Sequence, residues 1–175
     1  MDTFPLHKHY QVIYVDPPWR YGSAGDSISN QCTNHYDTMT VDEMSKIPVR
    51  NVADTDCALF MWVTNPQIPK AVDLMQRWGF EFKTVFKVWR KTTLSGNPVC
   101  VPGWWSRSST ELLFVGTRGY PLKKWKTSNN EPQEYASVRG EHSEKPNEIR
   151  EMVYNFLNVE NRLEIFARHI VSDWD

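Results

Sequence analysis

Val12-Ile13-Tyr14-Val15-Asp16-Pro17-Pro18-Trp19 is a short apolar run that stops abruptly on a carboxylate, two prolines and an indole. Four β-branched or aromatic residues in a row read as a strand buried on both faces, and a Pro-Pro step cannot continue a hydrogen-bonded ladder, so the strand ends at Asp16. The rim this leaves is built from acceptors. Neither proline donates a hydrogen bond, and carboxylate and proline carbonyls together accept both N–H groups of an exocyclic amine, with Trp19 offering a flat face to the base that carries it. Adenine and cytosine amines suit such a rim equally, and Asp-Pro-Pro also serves as plain punctuation after a strand.

Outward from this stretch, apolar runs alternate with helical patterns, the signature of a wound α/β sheet with helices on both faces. Strands are predicted at 11–15, 57–63, 82–89, 112–116 and 163–167. Helices are predicted from Thr40, where Thr40 and Glu43 have capping-box spacing, over 66–78 with Gly79 as its stop, and over 146–156 behind Pro146. The stretches 20–38, 91–109 and 117–143 read as loops, long enough in so small a chain to be functional.

With 175 residues, 40% of them hydrophobic and 23% charged, a single domain over 1–175 is expected, and a chain of this size buries about 70% of its unfolded surface without disulfides or a structural metal. Cys32, Cys57 and Cys100 have no metal-ligand spacing and read as free thiols in a reducing compartment. No apolar run approaches the roughly 20 residues of a membrane span, so no membrane partner is expected. The net charge of -1 hides an asymmetry. Residues 82–130 hold nine cations against the single acid Glu111, interleaved with Trp89, Trp104, Trp105, Tyr120 and Trp125, which is the mix of a phosphate-tracking, base-stacking surface; a solvated face is the alternative. The loops 91–109 and 117–143 are expected to flank the mouth above Asp16, with Lys123, Lys124 and Lys126 on nucleic-acid phosphates.

Asp16-Pro17-Pro18-Trp19 resembles the catalytic motif of the MT-A70 family of S-adenosylmethionine-dependent adenine methyltransferases, and further segments follow collinearly. His35-Tyr36-Asp37-Thr38-Met39, Leu59-Phe60-Met61-Trp62-Val63-Thr64, the stretch 103–119 with Trp105 and Glu111, His142-Ser143-Glu144-Lys145-Pro146-Asn147-Glu148 and Leu163-Glu164-Ile165-Phe166-Ala167-Arg168 each resemble a family segment. The resemblance implies a Rossmann-like methyltransferase in circularly permuted order, with the catalytic strand first and the methionine-binding strand last. It implies S-adenosylmethionine as cofactor, Lys145 on its carboxylate with Ser143 nearby, Phe166 packed on it, Arg168 on its ribose and Asp16 at the reacting end. It implies Tyr36 as an aromatic wall of the base pocket opposite Trp19, Tyr21 as its neighbour, and Glu111 and Arg139 as substrate contacts; without it, an ion pair between those two is the plainer reading.

The implied reaction is direct methyl transfer to the N6 amine of adenine, needing no metal, with the base flipped out if it lies in a duplex. A minimal prokaryotic or phage-type enzyme is expected, because only 15 residues precede Asp16 where the eukaryotic relatives carry a longer N-terminal extension, whereas the Gly-Asn segment to which family members usually continue beyond Asp175 is the feature whose lack favours the inert alternative below. Nucleic acid is the expected partner, DNA favoured over RNA, in the cytoplasm of a bacterium or a phage-infected host cell. A cytosine N4-methyltransferase and a catalytically inert nucleic-acid-binding scaffold of the same fold are the alternatives, and a homodimer stays open.

Overall fold

The computed structural model describes residues 4–21, 38–103, 105–127, 132–140, 144–167 and 172–175. The opening apolar run forms strand β1 (Tyr10–Val15), and both neighbours run parallel to it: β2 (Ala53–Val63) and β6 (Arg162–Ile165). Val12 lies opposite Ala58 and Arg162, and Val15 opposite Met61 and Ile165, so β1 and β6 end in register and β2 runs two residues further, to Val63. With β3 (Glu81–Thr92), β4 (Thr110–Arg118) and β5 (Glu134–Val138) they make one six-stranded sheet in the order β5-β3-β4-β2-β1-β6.

Strand alternation assigns every second residue to one face. Ile13, Val15, Leu59, Met61 and Val63 point into a core completed by Met44 of α1 (Val41–Ser45), Val49 and Val52 of α2 (Val49–Val52), and Leu74 and Met75 of α3 (Ile68–Arg77). Val12, Tyr14, Ala58, Phe60 and Trp62 point the other way, onto Ile149 and Val153 of α5 (Asn147–Phe156). Each such aliphatic side chain contributes about 1.5–3 kcal/mol on burial, which is why these runs lie on central strands and nowhere else. Thr40 caps α1 as its spacing predicts: its hydroxyl accepts from the Glu43 amide at 3.2 Å while the Glu43 carboxylate accepts from the Thr40 amide at 2.7 Å. Gly79 stops the chain after α3 at φ 85°, a left-handed turn that other residues resist. No helix among the described residues is long and apolar enough to cross a membrane.

One strand reverses: β4 runs antiparallel to both β2 and β3. And 117–143 is not one loop, since it opens with the end of β4 and contains α4 (Pro121–Trp125) and the edge strand β5, which pairs parallel with β3. One end of the sheet therefore gathers the C-terminal ends of β1, β2, β3, β5 and β6 with the N-terminal end of β4, where ligands of open α/β sheets bind. The opposite end holds the turn after β4, with α4.

Candidate active site

Four charged side chains line up at that end. Asp16 follows β1, Glu111 is the second residue of β4, Lys91 is the penultimate residue of β3, and Lys145 stands two residues ahead of α5. The Lys145 ammonium lies 2.8 Å from Asp16 Oδ2 and 3.3 Å from Glu111 Oε2, and Lys91 closes on the other Glu111 oxygen, Oε1. Charges alternate along the row Asp16, Lys145, Glu111, Lys91. The side chains are 25% exposed at Asp16, 12% at Lys145 and 10% at Glu111, so water screens the row weakly. Indole faces complete the setting: Lys145 sits 5.6 Å from the Trp62 ring centroid and Lys91 5.1 Å from that of Trp89.

The row decides its own protonation. Burial works against the charge on both Lys145 and Glu111 and is the largest single influence on each. The opposite charges outweigh it: Asp16 and Glu111 hold Lys145 above its ordinary value, and Lys145 with Lys91 hold Glu111 below its own. Both stay ionised near neutrality.

Beside the row opens a crevice between the ends of β1 and β6 and the start of α5, lined by Tyr14, Asp16, Lys145, Arg150, Glu164 and Phe166 among others. Tyr14 accepts a hydrogen bond from the Trp62 indole at 2.6 Å, and burial pushes its phenol far above the ordinary tyrosine range, so it stays neutral. Glu164 pairs with Arg150 at 3.1 Å, yet burial still carries its carboxyl above the usual value. Phe166 takes φ 62°, among the described residues the single non-glycine in the left-handed region, at a cost of about 1–2 kcal/mol. The turn swings its ring into the crevice directly after β6.

The structure places the remaining expected residues as follows. Trp19 is 6% exposed, and its indole N–H donates to the Trp62 carbonyl at 3.1 Å, so the face expected to carry a base is packed in the core and the side chain anchors the turn instead. The proline carbonyls do not all point outward: Pro17 accepts from the Trp19 amide and Pro18 from the Met39 amide, both at 2.8 Å. A carbonyl has a second lone pair, so Pro17 retains acceptor capacity. Tyr21 bonds Thr64 through its hydroxyl at 2.7 Å. Glu111 takes Lys91 and Lys145 as ion-pair partners among the described residues, not Arg139, whose amide donates to the Thr92 carbonyl at the same sheet end. Tyr36, Ser143 and Arg168 lie outside the described residues, as do Trp104 and Cys32.

Sequence reasoning missed Lys91 as a member of the site, counting it only among the cations of the basic stretch. The signal was present: Lys87, Trp89 and Lys91 alternate onto one face of β3, and a lysine in register with a core tryptophan has to find a partner. The basic stretch itself is not the contiguous surface expected of it. Lys83 pairs with Glu81, Arg90 with Glu134 and Lys124 with Asp56, while Lys87 is buried and donates to the Pro132 carbonyl. Lys123, Lys124 and Lys126 follow the C-terminal end of an antiparallel strand and lie at the far end of the sheet, away from Asp16. The loop between β3 and β4 is the part that does stand on the Asp16 side. It carries Trp105, fully exposed, beside Arg107, on a turn that requires Gly103, where an added Cβ would meet the Ser106 carbonyl oxygen at 2.4 Å.

The MT-A70 family profile matches residues 10–175. The type II methyltransferase M.MunI from Mycoplasma sp is 32% identical over 192 residues, which cover 99% of this chain and 79% of that protein. The N6-methyladenosine RNA methyltransferase MTA1 of Pyricularia oryzae is 28% identical over 95% of this chain and 45% of its own length, and the human N(6)-adenine-specific methyltransferase METTL4 is 26% identical over 95% and 36%.

Proposed function

This chain belongs to the MT-A70 family, and from that membership we propose that it methylates the exocyclic N6 amine of adenine in nucleic acid with S-adenosylmethionine as donor. The observation that carries the reading is the 2.8 Å contact between Asp16, at the end of the central strand, and Lys145, 129 positions away, in the crevice where an α/β sheet takes its ligands.

The residues fit the cofactor. Its methionine end carries a carboxylate and an ammonium, and the crevice offers a buried cation, Lys145, and carboxylates on Asp16 and Glu164, with Phe166 as an apolar wall. When bound, the cofactor supplies a methyl group made electrophilic by its sulfonium. We assign Lys145 and Ser143 to its carboxylate end, Phe166 to packing and Arg168 to its ribose.

Asp16 accepts one N–H of the adenine amine, and the second lone pair of the Pro17 carbonyl accepts the other. That pairing favours the pyramidal amine, whose lone pair is otherwise delocalised into the ring, and aims it at the methyl carbon. Pro18 and Trp19 hold the turn rigid, one through Met39 and the other through Trp62. Proximity and preorganised electrostatics supply the rate, and no general acid is called for. Tyr21, Tyr36, Glu111 and Arg139 are our candidates for the walls of the base pocket.

We further read the chain as one methyltransferase domain in permuted order. The adjacency of its first and last strands supports this, since β1 and β6 pair side by side and bring the amine-binding and cofactor-binding ends together. DNA is our choice of polymer, supported by the higher identity and coverage of the type II methyltransferase relative to the RNA enzyme, and the bacterial or phage-infected cytoplasm our choice of compartment. Trp105 and Arg107 on the loop above Asp16 are our candidates for the polymer contact. The deciding experiment transfers a tritiated methyl group from S-adenosylmethionine to single- and double-stranded DNA and RNA and identifies the labelled nucleoside. N6-methyladenosine or its deoxy form is the expected product; label on cytosine, or none, overturns the reading.

A further inference from the structure

We propose that Lys91 is a positioning residue for cofactor binding: through Glu111 it keeps the buried row electrically neutral, so that Lys145 remains able to attract the carboxylate of the methionine end. The inference rests on the cofactor assignment above and adds a residue that never touches the cofactor.

Asp16, Lys145, Glu111 and Lys91 alternate in sign and sum to zero, and every link is a direct contact. Lys145 already faces two carboxylates. Without Lys91, one cation would stand between two anions, and an arriving carboxylate would meet a row of net negative charge in a setting that water screens poorly. Lys91 removes that repulsion from behind. Its ammonium sits over the Trp89 ring and reaches Oε1 of Glu111, the oxygen that Lys145 does not take. It also fixes the Glu111 rotamer, because each oxygen of that carboxylate has its own cation.

Among the described residues, no other charged group contributes to the balance at Glu111. The groups acting on it are Lys91 from β3 and Lys145 from the approach to α5, with Asp16 beyond Lys145. Arg150, the other crevice cation, is committed to Glu164. Among the described residues, a charge lost at Lys91 is therefore not made up by a neighbour.

The test is calorimetric, with two probes. S-adenosylhomocysteine carries the carboxylate; 5′-methylthioadenosine shares the nucleoside and thioether but lacks the amino-acid end. In Lys91→Met, which keeps the length and drops the charge, S-adenosylhomocysteine affinity is expected to fall about tenfold, as one uncompensated charge roughly 10 Å away requires, with methylthioadenosine unchanged. Lys91→Arg should bind as the wild type. The Lys91→Met/Glu111→Gln double variant should recover the lost affinity, because it restores neutrality by removing the matching anion. Should Lys91→Met not fold, Glu111→Gln alone carries the test, with S-adenosylhomocysteine expected to bind more tightly than to wild type.

Equal loss for both probes, no recovery in the double variant, or weaker binding by Glu111→Gln would each overturn the proposal. Failure of the wild type to bind S-adenosylhomocysteine at all would instead remove the cofactor assignment on which it stands.

Discussion

Lys145→Met should cost the fold more than any other single charge removal at the site, and the cost should depend on pH. At an effective dielectric of about 20, the contacts at 2.8 Å to Asp16 and 3.3 Å to Glu111 are each worth about 5–6 kcal/mol of attraction, against which the burial of three ions must be set. Removing one partner of such a cluster forfeits the attraction and leaves the burial, for a net loss of about 3–5 kcal/mol; Asp16, a quarter exposed, recovers some hydration and puts the figure near the lower end.

The pH dependence follows from Glu111. In the wild type its carboxyl is held below its ordinary 4.5, so its contribution is present above that value and is lost as pH falls through the lowered one. Without Lys145 the balance tips toward burial, Glu111 takes up a proton sooner, and the variant is relieved of a buried charge under mildly acid conditions. Urea unfolding followed by tryptophan fluorescence should then give a stability gap that narrows by roughly 1 kcal/mol or more between about pH 7.5 and about pH 5. A gap below about 1 kcal/mol, or one that does not change with pH, would refute the buried three-ion arrangement.

Further expectations concern function and packing. Asp16→Ala should lower methyl transfer by at least about 10²-fold while leaving S-adenosylhomocysteine binding no weaker, since the row becomes more positive; turnover near the wild-type level would end the amine-orienting role. Joint replacement of Trp105 and Arg107 by alanine should raise the nucleic-acid Michaelis constant without moving the melting temperature, whereas joint replacement of Lys123, Lys124 and Lys126 should leave that constant alone, and the reverse pattern would return the polymer to the far end of the sheet. Trp19→Phe should destabilise by about 1 kcal/mol for the bond lost to the Trp62 carbonyl, read as a shift in urea midpoint, and an unchanged midpoint would mean that this bond does not anchor the turn.

What was legible in the sequence follows the range of the interactions involved. β1 and the second half of β2 announce themselves because buried parallel strands are continuous apolar runs, and the capping box before α1 and the glycine stop after α3 are local chemistry. β5 escapes the same test. It lies at the sheet edge and alternates between exposed and half-buried residues, Glu134 to Val138, with no fully buried position to mark it as a strand. Asp16 was legible because a carboxylate before two prolines leaves an acceptor-only rim at a strand end, which is also where the family resemblance begins. Its partner Lys145 was reached only through the family resemblance, because nothing local distinguishes a lysine ahead of a helix from a solvated one.

Strand direction is the property that local pattern carries least, and at β4 it redistributes the chemistry of the whole middle of the chain. The pattern of an apolar run such as Leu112–Val115 fits either sense; its direction shows only in its pairing between β2 and β3. Because β4 runs antiparallel, its first residues rather than its last stand at the ligand end, which carries Glu111 to Lys145 and Lys91 and carries Lys123, Lys124 and Lys126 away from Asp16. A parallel β4 would do the opposite, presenting the lysine-rich turn above Asp16 and leaving Lys145 without its second carboxylate. The lone acid of the basic stretch is thus where it is needed as a consequence of the same reversal that removes three of the stretch's cations from the site.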